Sequence, residues 1–415
     1  MISADGCHFT DVTGKDYLDF SSQLMCSNLG HGNKAVIDAI CEQAKRLPYV
    51  VPGFATEPRA KLSKALVEVM PKGLEKYFFA TSGTEANEAA FKIARLYTGK
   101  YKIISRYTSY HGSTAGSIAA TGDQRRYPVE PSGKMEGVIF GPDAYCYRCP
   151  LGLDYPNCGI ACADYIEYMI EHESNVAAVI VEPVVGTNGV IVPPDEYLPR
   201  LRELTHKHGV LLICDEVMSG WGRTGEWFAV DHWKVAPDIL TTAKGITGAY
   251  IPLSVTATTR EIADYFEEHY FAHGHTYEAH PLTLAAGIAA IAEYKRMNLI
   301  ERSCEIGQYL GDHLSGLQKT HNCIGDVRGI GMFWGLELVR DRSTKQPFNT
   351  REDKLSGKPL MVDRVVGDCM KKGVFLQGWI STLIIAPPLT ISKSEIDQGI
   401  AALDDALRLA DDELR

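Results

Sequence analysis

Six consecutive apolar residues, Val176-Ala177-Ala178-Val179-Ile180-Val181, limit this chain more than any other segment, because neither side of a strand built from them can face water. Such a strand has to be covered on both faces. Strand-like and helix-like segments alternate around it. Residues 77–80 precede a helix over 85–96, residues 102–105 precede another, a helix over 198–207 runs into a strand at 210–214, and 253–257 offers one more strand. The alternation predicts an α/β fold: a largely parallel sheet with helices on both sides.

A chain of 415 residues exceeds one small core. Residues 6–12 and 15–20 alternate polar and apolar positions around Thr13-Gly14 and read as a hairpin. From 33 to 70 the pattern is helical, with breaks at Pro48 and Pro52-Gly53. Composition shifts between 282 and 320. The remainder carries strands at 324–327, 332–339, 374–376 and 382–386 and helices at 360–372 and 394–413. The expected organisation is an N-terminal segment (1–45) that contributes to a small domain, a large domain (46–290), and a C-terminal α+β domain (291–415).

A formal charge of −10, with no run of lysine or arginine to override it, argues against nucleic-acid or anionic-membrane partners. No apolar stretch reaches the roughly 18 to 20 residues that span a bilayer, and the first residues lack the basic and apolar parts of a signal peptide, so the expected location is cytoplasmic. Most of the 11 cysteines stand singly in apolar segments. Cys146, Cys149, Cys158 and Cys162 are different: they read C-x2-C-x8-C-x3-C, a spacing that could hold a structural zinc, although the second pair lacks the usual ribbon spacing. A loop of reduced, partly buried thiols is the alternative, and no metal ligand is assigned.

Lys244 lies between the apolar run Ile239-Leu240 and Gly245. A buried lysine has to lose its charge or be bound covalently, which is what a Schiff-base lysine requires, whereas most lysines are solvated surface groups. Asp215 ends the apolar strand at 210–214, where a carboxylate can hold a pyridinium nitrogen protonated; a helix cap or an ion pair with Arg223 would place it equally well. Between a strand and a helix, Thr81-Ser82-Gly83-Thr84 offers free amide hydrogens to a phosphate, or an ordinary cap made by Ser82 or Thr84. Tyr110-His111-Gly112 supplies a ring for stacking or for packing. Together these elements make the set that pyridoxal phosphate needs.

With Ser82–Asn87, Tyr110-His111-Gly112, Glu182-Pro183, Asp215-Glu216-Val217, Gly222-Arg223-Thr224-Gly225, Lys244-Gly245, His275-Thr276-Tyr277 and Ala386-Pro387-Pro388 in this order, the chain resembles the class III (ω-amino) aminotransferases over nearly its whole length. The resemblance implies the fold-type-I architecture of pyridoxal-phosphate enzymes and a homodimer, or a tetramer, with sites at the subunit interface. It implies Lys244 as the lysine that holds the cofactor and then shuttles a proton, and Asp215 as the partner of the ring nitrogen. Val217 and Tyr110 would bracket the ring, with His111 beside it, and Glu182 would orient groups on the substrate side. Ser82, Gly83 and Thr84 would bind the phosphate, and Thr276 would reach it from the partner subunit. The implied reaction moves an amino group from an amine to a keto acid in a ping-pong cycle.

Four positions bear on the substrate. Gln377, followed by Gly378-Trp379, stands where the family often has a carboxylate-pairing arginine, and Met25 stands where many members have tryptophan. The Tyr145–Pro150 loop resembles a subgroup that includes taurine aminotransferases and enzymes acting on β-alanine-like donors, which makes Arg148 a candidate reader of a sulfonate or carboxylate, or a surface arginine stacked on Tyr147. Pyruvate and 2-oxoglutarate are the candidate acceptors. The first hairpin also begins nearer residue 1 than in most members. An aminomutase, a decarboxylating transaminase, a non-catalytic binding protein and a zinc-dependent interaction module on the four cysteines are the competing readings.

Overall fold

The computed structural model describes residues 1–414. Strands β1 (Ser3–Asp5), β2 (His8–Thr10) and β3 (Asp16–Asp19) form an antiparallel meander in which Phe9 faces Tyr17. The turn between β2 and β3 closes because the Asp11 carboxylate accepts the Thr13 and Lys15 N–H groups at 2.8 and 3.1 Å.

The main sheet has seven strands: β4 (Leu74–Ala80), β5 (Lys102–Arg106), β6 (Val138–Gly141), β7 (Val176–Val181), β8 (Leu211–Asp215), β9 (Ile239–Thr242) and β10 (Ser254–Thr259), in the order β4-β10-β9-β8-β7-β5-β6. From β9 to β6 the pairs are parallel, and every residue of β7 is buried, as its unbroken apolar run requires. The strand expected at 253–257 runs antiparallel to both neighbours. Strand direction depends on where the chain returns, which the local pattern does not encode. β6 was not anticipated: four residues flanked by loop carry too little period to be read.

Helix Gly83–Thr98 crosses this sheet with Ala86, Ala89, Ala90, Ile93 and Ala94 buried, small side chains that let it lie close to β9 and β10. It ends at Gly99, whose φ of +63° suits a residue without Cβ. Beyond helices Pro281–Arg296 and Leu299–Thr320, a second sheet forms from β11 (Ile324–Ile330), β12 (Phe333–Asp341) with β13 (Gln346–Pro347) on its edge, and, after β14 (Val374–Phe375), β15 (Gln377–Trp379) and β16 (Thr382–Ile385). β14 leaves that sheet to pair in parallel with β3, Val374 opposite Leu18, so the N-terminal meander is stitched to the C-terminal part of the chain. Among the described residues, no helix is long and apolar enough to cross a membrane.

Arg223 joins the parts. Its fully buried guanidinium donates to the Met332 and Pro387 carbonyls at 3.1 and 2.6 Å, to Ser22 Oγ at 3.0 Å and to Asn28 Oδ1 at 2.7 Å. Burial brings its pKa down to about 10, still charged at neutral pH. It does not pair with Asp215. Arg223→Met strands those acceptors in the interior and should lower stability by about 3 kcal/mol. A chemical-denaturation curve checks this, and a loss under about 1 kcal/mol would show that the acceptors find other donors.

Candidate active site

Parallel strands deliver their carboxyl ends to one edge of a sheet, and here those ends surround a cavity of about 390 Å3. Ser82, Gly83, Thr84, Tyr110, His111, Glu182, Asp215, Val217 and Lys244 all line it, though they span more than 160 positions of sequence. Asn87, Cys26, Met218 and Leu24 line it as well.

Asp215 is held from three directions. Its Oδ2 accepts from Asn87 Nδ2 at 2.8 Å and from His111 Nδ1 at 2.7 Å, and its Oδ1 accepts the Val217 N–H at 3.1 Å. Asn87 also donates to the His111 carbonyl, and its own Oδ1 accepts the Thr241 hydroxyl, both at 2.8 Å. A carboxylate so fixed keeps one orientation. His111 therefore positions Asp215 as well as lining the cavity. Asn87 was missed as a functional residue; the available signal was its place one turn into the helix that starts at Gly83, the spacing that returns a side chain to the same face.

Lys244 follows β9 with φ at +49°, a left-handed conformation that costs a non-glycine residue about 1 kcal/mol and that persists at functional sites where the surroundings enforce it. Burial drives its amine below the ordinary lysine pKa, against the opposing pull of Asp215. A neutral amine is a nucleophile. Glu182 shifts the other way: burial raises its carboxyl, and its two oxygens accept the Tyr110 N–H at 3.0 Å and the Gly186 N–H at 2.8 Å.

The Ser82 hydroxyl caps helix Gly83–Thr98 by accepting the Glu85 N–H at 3.3 Å, while Glu85 reaches back to the Thr81 and Ser82 N–H groups. The first N–H groups of the helix, those of Gly83 and Thr84, lack intrahelical partners and open on the cavity. The cradle has no room for side chains: a Cβ on Gly83 would stand 2.8 Å from Val217 Cγ2, and one on Gly112 would stand 2.4 Å from Thr84 Oγ1, with φ already at +136°. A phosphate-bearing pyridine aldehyde fits this donor set: helix N–H groups for the phosphate, a fixed carboxylate for the ring nitrogen, and a buried amine for the aldehyde. His111 Nε2, buried and without a hydrogen-bond partner, belongs to the same wall.

The residues expected to read the substrate are placed differently. Met25 lies behind the wall, 5% exposed and packed with Val184, Val190 and Met218, because positive φ at Ser22, Gln23 and Met25 turns it inward and presents Leu24 and Cys26 to the cavity instead. Arg148 is bonded to Glu337 on β12, its guanidinium 5.3 Å from the Tyr147 ring, so its charge is already engaged; it lines a separate cavity of about 330 Å3 with Trp379. Gln377 donates its N–H to Ser21 Oγ at 3.0 Å and its side-chain amide to the Gln23 carbonyl at 3.4 Å, which ties down the N-terminal segment. Thr276 is exposed on a loop where its carbonyl accepts the Tyr49 hydroxyl at 3.0 Å, and it does not line the cavity of its own chain.

A cation not singled out in the sequence stands nearer. The Arg125 guanidinium lies 3.8 Å from the centroid of the Tyr110 ring and 4.5 Å from that of Trp379, and Asp123 orients it through bonds of 2.8 Å from its N–H and 2.9 Å from Nε. Its charge is felt at Lys244. Nothing local in Gln124-Arg125-Arg126 marks it; only the fold stacks it against Tyr110.

Two outcomes follow from this geometry. Asn87→Ala removes one donor from Asp215, and turnover should fall about 10- to 100-fold with cofactor still bound, read as a change in kcat with KM nearly constant. Because burial lowers the Lys244 pKa, reaction of apoprotein with pyridoxal phosphate, followed by absorbance, should accelerate with a midpoint below the ordinary lysine value of 10.5; a midpoint at that value would contradict the burial argument.

The model of the family described as aminotransferase class-III matches residues 1–407. The chain is 36% identical over 411 residues to leucine/methionine racemase of Thermococcus litoralis, covering 98% of this chain and 90% of that protein. It is 35% identical over 427 residues to taurine–pyruvate aminotransferase of Bilophila wadsworthia, covering 98% and 91%. The crystal structure of taurine:2-oxoglutarate aminotransferase from Bifidobacterium kashiwanohense, in complex with PLP and glutamate, superposes with a TM-score of 0.94 at 37% identity, covering 100% of this chain and 93% of that one. The chain belongs to the class-III aminotransferases, and it is a transaminase of fold type I whose cofactor is pyridoxal phosphate.

Proposed function

We propose that this transaminase takes the amino group of an ω-amino donor with an acidic end, of the taurine or β-alanine type, and passes it to a keto acid such as pyruvate or 2-oxoglutarate in a ping-pong cycle. One observation carries the choice of donor: Arg125, stacked on Tyr110 of the Lys244 cavity wall, is ion-paired with Asp123 through Nε and Nη2 but keeps Nη1 for a sulfonate or carboxylate whose amine end lies at Lys244. The similarity to a taurine–pyruvate and a taurine:2-oxoglutarate aminotransferase supports the same reading.

When bound, pyridoxal phosphate supplies an aldehyde carbon and a ring that takes up electrons once its nitrogen is protonated. Asp215, pinned by Asn87, His111 and the Val217 N–H, holds that proton. Gly83 and Thr84 hold the phosphate at the helix start, as Ser82 spends its hydroxyl on the cap. Tyr110 and Val217, both in the cavity wall, would bracket the ring. Lys244, whose pKa burial lowers, would hold the cofactor and would carry the proton taken from the donor carbon. Glu182 lies beside this path, and Thr276 completes the phosphate site from the partner in a homodimer. In the second half the same groups act in reverse on the keto acid, so both substrates use one pocket.

The racemase relative supports a second reading, in which the proton returns to the donor carbon itself. A screen separates the two: taurine, β-alanine, 4-aminobutyrate and a neutral aryl amine, each with pyruvate and with 2-oxoglutarate, beside leucine incubated without a keto acid. Amino transfer from the acidic donors is expected, and Arg125→Ala should raise KM for them about 10-fold or more while leaving the aryl amine within about 2-fold. Equal effects on all donors would remove Arg125 from substrate binding. Inversion of leucine with no amino transfer in any pairing would replace the transaminase assignment by the racemase.

A further inference from the structure

We propose that Cys146, Cys149, Cys158 and Cys162 together bind one divalent zinc-type cation, forming a tetrathiolate site outside the catalytic cavity that clamps the loop of residues 146–162. All four cysteines are free of disulfides and line a single small cavity, with Leu151, Leu153 and Tyr155 around them. That cavity measures about 20 Å3, enough for one ion or one water and too small for an organic ligand. Two short turns supply the ligands as pairs. Cys146 opens the 3-10 turn Cys146–Arg148 and Cys149 follows it, while Cys158 and Cys162 flank Ile160, whose φ of +59° swings the chain into helix Ala161–Glu173. Cys162 lies in the first turn of that helix.

A tetrahedron with Zn–S bonds of about 2.3 Å places sulfurs about 3.8 Å apart. Among the described residues, the trios of ligand atoms already within 4.8 Å of one another are His321, Cys323 and Asp411, and Glu167, Glu171 and His208. The four thiols form no such trio, so binding has to draw their sulfurs together around the small cavity they line. Neither trio competes as a site of the same kind. His321 is bonded through both ring nitrogens to Asp411 and Asp404, at 2.7 and 2.9 Å, and Glu167 is taken by Lys207 and His208, at 2.7 and 2.9 Å. Soft thiolates select zinc over the hard cations that carboxylates hold. Binding involves no electron transfer: each thiol that ligates releases its proton to solvent, and four thiolates around a divalent ion leave a net charge of −2 on the site.

The clamp has a structural consequence. Residues 145–149 carry Tyr145 and Arg148, both bonded to Glu337 on β12, and the Tyr147 carbonyl accepts from Lys345 at 2.8 Å. Arg328, also on that sheet, sits over the Tyr145 ring at 4.9 Å and donates to the Gly189 carbonyl at 2.8 Å. The loop is thus the brace between the second sheet and the large one, and it has little core of its own to hold its shape.

Elemental analysis of the reduced holoenzyme, dialysed against zinc and then against metal-free buffer, should return about one zinc per chain. Cobalt substitution should add thiolate-to-cobalt charge-transfer absorption. Cys149→Ser with Cys158→Ser should abolish both signals while the cofactor spectrum persists. Zinc well below one per chain in the reduced wild type, cobalt without thiolate bands, or undiminished zinc in the double variant would each overturn the proposal. The wild-type cobalt spectrum decides the matter even if the double variant fails to fold.

Discussion

The site depends on holding one carboxylate, Asp215, in a single orientation in a place that water hardly reaches. Three donors from separate elements fix it: Asn87 from the helix after β4, His111 from the loop after β5, and the Val217 N–H from its own turn. Each of these is fixed in turn. Thr241 on β9 bonds Asn87, and Thr121 accepts the His111 N–H at 3.0 Å. The register of β5, β8 and β9 therefore sets the orientation of one side chain, which couples sheet topology to chemistry directly.

The same burial acts on neighbouring groups with different results because their partners differ. Lys244 has no bound counter-ion to match the desolvation of its amine, so it tends toward the neutral state that a nucleophile needs. Glu216, next in sequence to Asp215 but on the opposite side of the strand end, is pushed up to about 7 by burial, with Ser219 and the Val230 N–H as its partners. Arg223 keeps its charge without any carboxylate at all, since carbonyl and amide oxygens gather around it.

Much of this was legible in the chain. The run at β7 announced a doubly covered strand, and Asp215 and Lys244 could be placed at strand ends because apolar runs stop at them. The helix start proposed to hold the phosphate was recognisable as hydroxyls and glycine between a strand and a helix; that Ser82 would be the cap, leaving Gly83 and Thr84 to the cavity, required the capping box to be seen closed. What escaped was every contact made at long range without local pattern. Arg125 sits in an unremarkable turn, Asn87 reads as one more helical polar residue, and Arg148 looked free until Glu337, nearly two hundred residues later, took its charge.

By itself the sequence determined the layered α/β class, the order of the chemical groups along the chain and, through its ordered motifs, the cofactor, because period, apolar runs and turn residues act over a few positions at a time. Tertiary structure alone decided that β10 runs against its neighbours, that Met25 hides while Leu24 lines the wall, and that the cation beside Tyr110 is Arg125. Those outcomes are set by how distant segments pack, and packing is a property of the closed chain that no single stretch of residues contains.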